Sequence, residues 1–389
     1  MNLAFCYENV LPQRGGCETY IADLARRLVA DGHDVHLYAC RWDAARLPST
    51  MHFHGLSVPR GPRFLRPWRF GRACLEALEE QSHDASIGFD KTWGQDVLYP
   101  QGGLHRASAD YNLQKQPNKI LRGLAHVIKR LDLAHWSYSR LEKKQYLGER
   151  RPLVVVNSEL VKHHFQHYLG YSSTELRVVR SAIDPDRFHE ADRLKRRIEA
   201  RQNWGINPAE TVALIAAMNY RLKGLGPLLH AVAKMPRNHP FRLLVVGSPR
   251  VSSYQRLAER LKVTDRVRFA GHCADMRNAY FAADFLVHPT FYDPCSLVVL
   301  EALACGLPVI TTLANGAHEL LHPPQEGFVV SDPHDHDQLA WCLTQLLDPV
   351  RRAACARAAR QTSSQWTFEH HYQKFLEVIN EAASRKRAA

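Results

Sequence analysis

Residues 288–312 read HPTFYDPCSLVVLEALACGLPVITT, a strand end, a helix and a second strand. The apolar run Phe285–His288 leads in as a strand. Asp293 before Pro294 has the chemistry of an N-cap and first helical residue: a carboxylate accepts orphan N–H groups, and proline's missing N–H is not needed there. Leu297, Val298, Leu300 and Ala304 continue the helix, Gly306 stops it, and Pro308 forbids continuation. Leu307–Thr311 then reads as a buried strand. The helix N-terminus offers N–H groups at Ser296 and Leu297, an arrangement suited to phosphate. Glu301 lies eight residues beyond Asp293, about 12 Å along a helix. That exceeds the roughly 5–9.5 Å between paired glycosidase carboxylates. Such spacing suits the two ends of a long ligand with its phosphates between them.

The same strand–loop–helix unit recurs outward from this stretch. Asn2–Phe5 is an apolar run, a loop with Gly15–Gly16 follows, and Ile21, Leu24, Ala25 and Leu28 fall at helical spacing before Gly32. Val35–Ala39, Ala85–Gly88, Leu153–Val156 and Leu176–Val179 are further strands. A second series has strands at Val212–Ala216, Leu243–Val246, Val267–Ala270 and Phe328–Val330, with helices such as Leu225–Met235 and Tyr254–Leu261. Residues 184–210 are polar and charged, and read as a linker or surface helix. The pattern predicts an α/β fold: two Rossmann-like, doubly wound domains facing across a cleft. The expected division is 1–182 plus 368–389 for the first domain and 183–367 for the second, with a last helix over Phe368–Ala383. A length of 389 residues fits two such domains.

Several function classes are excluded or disfavoured. Nine cysteines without a CxxC pair argue against a disulfide framework or zinc ribbon and fit a reducing cytoplasm. No apolar run is long enough to span a bilayer, and MNLAFCYENV reads as a first strand rather than a leader. A membrane would be met from the cytoplasmic side, at its surface. The one GxG, at Gly224–Gly226, is a poor match to a dinucleotide fingerprint, and no Walker lysine loop or HExxH is present. The histidines at 163, 164 and 167, at 334 and 336, and at 370 and 371 read as solvated surface residues, because no second ligand pair completes a metal set.

At this point the chain resembles a family. DPCSLVVLEALACGLPV is similar to the E-x7-E signature of retaining glycosyltransferases of the GT-B fold, family GT4, with Asp293 as the first acid. Gly15–Gly16 with Glu18 resembles the family's N-terminal glycine loop, and Asn157–Ser158 its strand-end NS pair. RVVRSAIDPDRF resembles the interdomain segment, and NYRLKG the phosphate-binding segment ending in Lys-Gly. Within the family, AFCYENVLPQRGG and GFDKTWGQDV look like the lipopolysaccharide-core heptose glucosyltransferase subgroup, although Tyr20 stands where that subgroup has an aspartate.

The resemblance implies transfer of a hexose from a nucleoside diphosphate donor, with UDP-glucose the expected one, and retention of anomeric configuration. A diphosphate is already a good leaving group, so the main need is charge stabilisation. Lys223, Arg221, the helix end at Ser296 and Leu297, and the backbone of Gly15 and Gly16 are the candidates to supply it. Glu301 would accept ribose hydroxyls, and Asp293 hydroxyls of the donor sugar. His105, in YPQGGLHRAS, stands where relatives often carry a histidine near the sugar's primary hydroxyl. The departing phosphate would deprotonate the acceptor. No metal or other cofactor is expected beyond the nucleotide sugar.

The net charge is +12. The first 205 residues hold 31 basic and 23 acidic residues, the remainder 20 and 16. Arg60, Arg63, Arg66, Arg69 and Arg72 recur every third residue among Phe64, Leu65, Trp68 and Phe70. Ile120, Leu124, Val127, Ile128 and Leu131 form a stripe beside Lys119, Arg122, Lys129 and Arg130, a basic amphipathic helix. That stripe either faces the core or meets an anionic membrane. The family assigns the acceptor to the N-terminal domain, so the charge suits an anionic glycolipid such as lipopolysaccharide inner core. Another glycan or a polyisoprenyl-linked acceptor remains an alternative, as does a non-catalytic scaffold. A nucleic-acid partner would explain the charge but not the 293–301 pattern.

Overall fold

The protein is described by a computed structural model covering residues 1–12, 15–148, 151–188 and 191–388. The chain divides into two compact units. Met1–Leu113, Asn118–Arg180 and Glu369–Ala389 form the first, and Gln114–Pro117 with Ser181–Phe368 the second.

The strands of the first unit are β1 (Asn2–Cys6), β2 (Asn9–Val10), β3 (Asp34–Ala39), β4 (Arg41–Trp42), β5 (His52–Gly55), β6 (Ala85–Phe89), β7 (Val97–Tyr99), β8 (Leu153–Val156) and β9 (Leu176–Val178). β2 pairs only with β4. The other seven form a parallel sheet in the order β5-β3-β1-β6-β7-β8-β9. The continuous apolar runs of β6 and β8 are wholly buried, as expected where helices cover both faces. The helices are α1 (Gly16–Ala30), α2 (Arg66–Glu79), α3 (His105–Gln114), α4 (Lys119–Arg130), α5 (Leu133–Tyr146) and α6 (Glu159–Leu169). The periodic residues Ile21, Leu24, Ala25 and Leu28 of α1 are all buried. Gly32 leaves that helix at φ +78°, where a side chain would be strained.

α4 excludes one of the two readings of its stripe. Asn118 caps it, its side chain accepting the Ile120 N–H at 2.8 Å, and none of its residues is buried. Ile120 and Ile128 are about 70% exposed (72% and 68%). The core-facing reading is therefore wrong. Lys129 departs from the basic face: its ammonium donates to the Ala109 carbonyl at 2.5 Å.

The second unit carries α7 (Arg193–Asn203), β10 (Thr211–Ala217), α8 (Leu225–Lys234), β11 (Phe241–Gly247), α9 (Ser252–Arg260), β12 (Val267–Gly271), α10 (Met276–Ala282), β13 (Phe285–His288), α11 (Leu297–Ala304), β14 (Val309–Thr312), β15 (Gly327–Val330), α12 (His336–Gln345) and α13 (Pro349–Gln365). The last helix, α14 (Phe368–Ala388), contributes Glu369 onward to the first unit. The six strands form a parallel sheet in the order β12-β11-β10-β13-β14-β15. Alternation builds a core on each face: Ile215, Val245 and Val287 on one, Leu214, Leu244 and Leu286 on the other.

Three expectations are narrowed or changed. Of the two readings of residues 184–210, the surface helix is found and the linker is not: α7 is pinned to the second unit. Arg197 and Arg201 grip the Asp284 carboxylate at 2.6 and 2.8 Å, and Arg201 is buried. His164 and His371 are core residues rather than solvated ones. His164 lies on the inner face of α6 beside Phe165. His371 bonds the Tyr20 hydroxyl at 2.7 Å and the Arg180 carbonyl at 2.7 Å. Tyr20 itself is buried, so it ties α1 to α14. Finally, β5 went unread, because HFHG alternates histidines with one aromatic and offers no apolar run.

Candidate active site

In an open parallel sheet, ligands bind beyond the strand C-termini where the strand order reverses. In the second unit that point lies between β10 and β13. The loops leaving these strands, residues 218–224 and 289–296, are stitched together. The Leu222 carbonyl accepts the Phe291 N–H at 2.9 Å and the Thr290 hydroxyl at 3.2 Å. Gly224 sits at φ +75°, and a Cβ there would lie 2.0 Å from the Pro289 carbonyl oxygen. Only glycine permits this approach.

The stitching brings Lys223 onto Asp293. The ammonium lies 2.5 Å from Oδ2 and 3.3 Å from the Tyr292 carbonyl. His288, at the end of β13, places Nε2 3.3 Å from the same Oδ2. Burial opposes ionisation of Asp293, but Lys223 and His288 overcome it and hold the carboxyl well below the usual range. Burial lowers the His288 imidazole, which stays neutral despite Asp293. Its Nδ1 is buried without a partner among the described residues.

The helix end differs from expectation. α11 starts at Leu297 and its N-cap is Ser296, so Asp293 and Pro294 precede the helix. The Ser296 N–H is not free either: Asn315 Oδ1 accepts it at 3.1 Å. Lys223 draws the Asp293 side chain away, and an asparagine from beyond β14 takes the Ser296 N–H. The helical-rise estimate between Asp293 and Glu301 therefore covers only part of that interval. Glu301 lies on α11, where the buried Tyr280 hydroxyl donates to its Oε2. Burial pushes the Glu301 carboxyl above its usual range, against the pull of Tyr280 and Arg187. Arg221 is exposed.

The remaining candidates lie in the first unit. Its strand order reverses between β1 and β6, and two features occupy those strand ends. After β1 come Gly15, extended at φ −170°, and Gly16, the first residue of α1 rather than a loop residue. A Cβ on Gly15 would meet Glu18 Oε2 at 2.5 Å. Gln13 and Arg14 lie outside the described residues. After β6 comes Asp90, held at φ +57°, a backbone region unusual for a side-chain-bearing residue. Its Oδ1 accepts the Gly102 N–H at 3.1 Å. Burial raises its carboxyl.

His105 begins α3. Its N–H donates to Glu142 Oε1 at 2.5 Å, and its Nε2 lies 3.0 Å from His135 Nδ1. Burial, His135 and Lys91 lower the imidazole to about 4. Glu142, pushed by burial to about 7, is a titratable group absent from the sequence-based expectations, as are His288 and Asp90, and so is the uncharged Asn315. Position alone signals Asp90 and His288, each at the C-terminal end of an apolar run.

The profile described as "Glycosyl transferases group 1" matches residues 209–349, and that described as "Glycosyltransferase Family 4" matches 14–90. Together they span both switch points and more than half of the chain. The chain belongs to the family 4 glycosyltransferases. It is 26% identical over 370 residues to the lipopolysaccharide glucosyltransferase WaaG of Escherichia coli K12, covering 94% of this chain and 95% of that protein. It is also 26% identical to a D-inositol 3-phosphate glycosyltransferase of Salinispora tropica, covering 96% and 82%. Among solved structures, WaaG superposes with a TM-score of 0.79 at 23% identity, covering 97% and 99%. An Anabaena protein, HepE, solved with UDP, gives 0.70 at 20%, covering 98% and 100%. These fold likenesses agree with a glycosyltransferase built from two parallel α/β units.

Proposed function

We propose that this glycosyltransferase moves a hexose, glucose from UDP-glucose, with retention onto an anionic glycolipid of the lipopolysaccharide inner-core type. The observation that carries the donor site is the mostly buried Lys223–Asp293 pair, built by the two loops at the second unit's switch point. A phosphate arriving there takes over Lys223, and Asp293 is released to accept hydroxyls of the donor sugar. The N-terminus of α11 adds partial positive charge beside the diphosphate. Glu301, oriented by Tyr280, accepts ribose hydroxyls through its other oxygen. The neutral His288 fixes the Asp293 carboxylate by donating from Nε2. Gly15–Gly16 at the start of α1 and His105 at the start of α3 are the first unit's own candidate contacts, to phosphate and to sugar. Arg221 is exposed and free to swing onto the phosphates. The charge that develops on the leaving diphosphate is met by Lys223 and by helix ends, and this chemistry calls for no metal.

The WaaG likeness supports the acceptor, together with the basic surface of the first unit. The inositol phosphate relatives favour a second reading in which the same reaction serves a different phosphorylated acceptor. α4 supports work at the cytoplasmic face of a membrane: its apolar stripe is exposed, with Lys119, Arg122 and Arg130 on the same helix. No described helix is long and apolar enough to cross a membrane. A thermal-shift screen of nucleotide sugars, then turnover on deacylated lipopolysaccharide core, tests the proposal. Stabilisation by UDP-glucose and transfer to the core are expected. Stabilisation by no nucleotide sugar would refute it.

A further inference from the structure

The first unit carries a side-chain cluster far along its strands from the loops described above. β3 and β5 run parallel with His36 opposite His52 and Tyr38 opposite His54. Alternation puts Asp34, His36 and Tyr38 on one face of β3, and His52 and His54 beside them on edge strand β5. Asp34 and His52 are the first residues of their strands. The cluster therefore occupies the N-terminal strand ends, whereas the switch-point loops leave from the C-terminal ends.

His36 is the centre of the cluster. Its side chain is nine-tenths buried, at 10% exposure. Its Nδ1 lies 2.9 Å from His54 Nε2. The ring stacks on His54, and His83 packs edge-on at a centroid distance of 4.9 Å. His54 is held in turn by stacking on Tyr38 at 4.3 Å. The outward nitrogen, His36 Nε2, is buried without a hydrogen-bond partner. It faces Asp34 Oδ2 at 3.6 Å, and His52 Nε2 lies 3.1 Å from Asp34 Oδ1. The three ligating atoms fall within 4.8 Å of one another.

We propose that Asp34, His36 and His52 bind one divalent cation of the zinc class at this sheet edge. Ligands about 2.0–2.2 Å from a tetrahedral metal stand roughly 3.3–3.6 Å apart, the spacing of His36 Nε2 from Asp34 Oδ2 at 3.6 Å, while His52 Nε2 stands 3.1 Å from the other carboxylate oxygen. Two imidazoles and one carboxylate suit zinc, nickel or copper, whereas magnesium and calcium want oxygen shells. His54 supplies the supporting contact that metal-bound histidines usually have, fixing His36 with Nε2 outward. His36 and His52 are stacked at 4.5 Å, so a metal in both ring planes requires His52 to turn. Its half-exposed side chain has the room. A solvent molecule completes the shell. The cation pins edge strand β5 to β3 and takes no part in sugar transfer.

The test uses the full chain, stripped with a chelator and dialysed, then titrated with zinc sulfate against a chromophoric indicator. One tight equivalent is expected. His52→Ala, at an exposed position that leaves folding intact, should weaken it at least about a hundredfold, and His54→Gln about ten- to a hundredfold. Zinc should raise the melting temperature of the unsubstituted chain but not of His52→Ala, and magnesium should raise neither. Cobalt(II) should give a visible d–d band that His52→Ala abolishes. The inference is overturned if no tight equivalent binds. It is equally overturned if His52→Ala and Asp34→Asn bind zinc as the unsubstituted chain does, which would assign the metal to other histidines.

Discussion

Replacing Lys223 by Met removes the ammonium but keeps most of the side chain's volume, and the consequences follow from the pair's geometry. The ammonium lies 2.5 Å from Asp293 Oδ2, and the two side chains are 19% and 15% exposed. At an effective dielectric near 20, such a contact is worth about 7 kcal/mol of gross attraction. Much of this offsets desolvation, and breaking a mostly buried pair from one side typically costs about 3–5 kcal/mol. For a unit of this size that corresponds to a fall in melting temperature of about 6–20 °C. The pH dependence carries a sign that simple loss of packing does not. In the intact chain the Asp293 carboxyl is depressed. Its contribution is therefore present above the unfolded value near 3.9 and lost as pH falls through the lower folded value. Without Lys223, burial dominates and raises the folded value. The penalty is then largest at pH 8 and shrinks toward pH 5. Adding Asp293→Asn removes the stranded charge, so the double variant should regain most of the stability but not turnover. Urea unfolding at both pH values and released nucleoside diphosphate are the two readouts. A stability loss independent of pH, with no rescue by Asp293→Asn, would refute the reasoning.

Glu301→Ala should lower turnover at least about a hundredfold, as loss of a preorganised electrostatic partner does; unchanged steady-state kinetics would remove Glu301 from the site. Tyr280→Phe leaves the carboxylate but not its orienting hydroxyl, and a raised KM for the donor with a smaller change in kcat is expected. EDTA should leave the rate of sugar transfer unchanged, and a loss restored by magnesium would contradict the charge assignment to Lys223 and helix ends. Leu124→Glu with Ile128→Glu should abolish flotation with anionic vesicles while leaving the melting temperature within about 1 °C, because neither side chain is buried.

The fold was legible where apolar runs and breakers agreed. Phe285–His288, Leu153–Val156 and the α1 periodicity read directly, because parallel strands buried on both faces and one-sided helices leave strong patterns. β5 did not, because an edge strand of histidines carries no such pattern, and the same stretch hid the metal-ligating cluster. The local order of residues 288–306 suggested Asp293 as the cap of α11. The cap is Ser296, and the Ser296 N–H is taken by Asn315, 19 residues further on. Asp293 is drawn off by Lys223, 70 residues earlier. Side chains recruited across the sheet are invisible to any local window. α4 shows the opposite limit: its periodicity was plain, but the same stripe serves a core or a membrane. Exposure of Ile120, Leu124 and Ile128 rules out the core.

In the proposed reaction a donor sugar held at Lys223, Asp293 and Glu301 is transferred with retention. The most direct test is the anomeric configuration, by NMR, of the product formed from UDP-glucose on deacylated lipopolysaccharide core. Retention from UDP-glucose gives an α-linked glucose. A β-linked product, or no transfer from any nucleotide sugar by a folded chain, would contradict it.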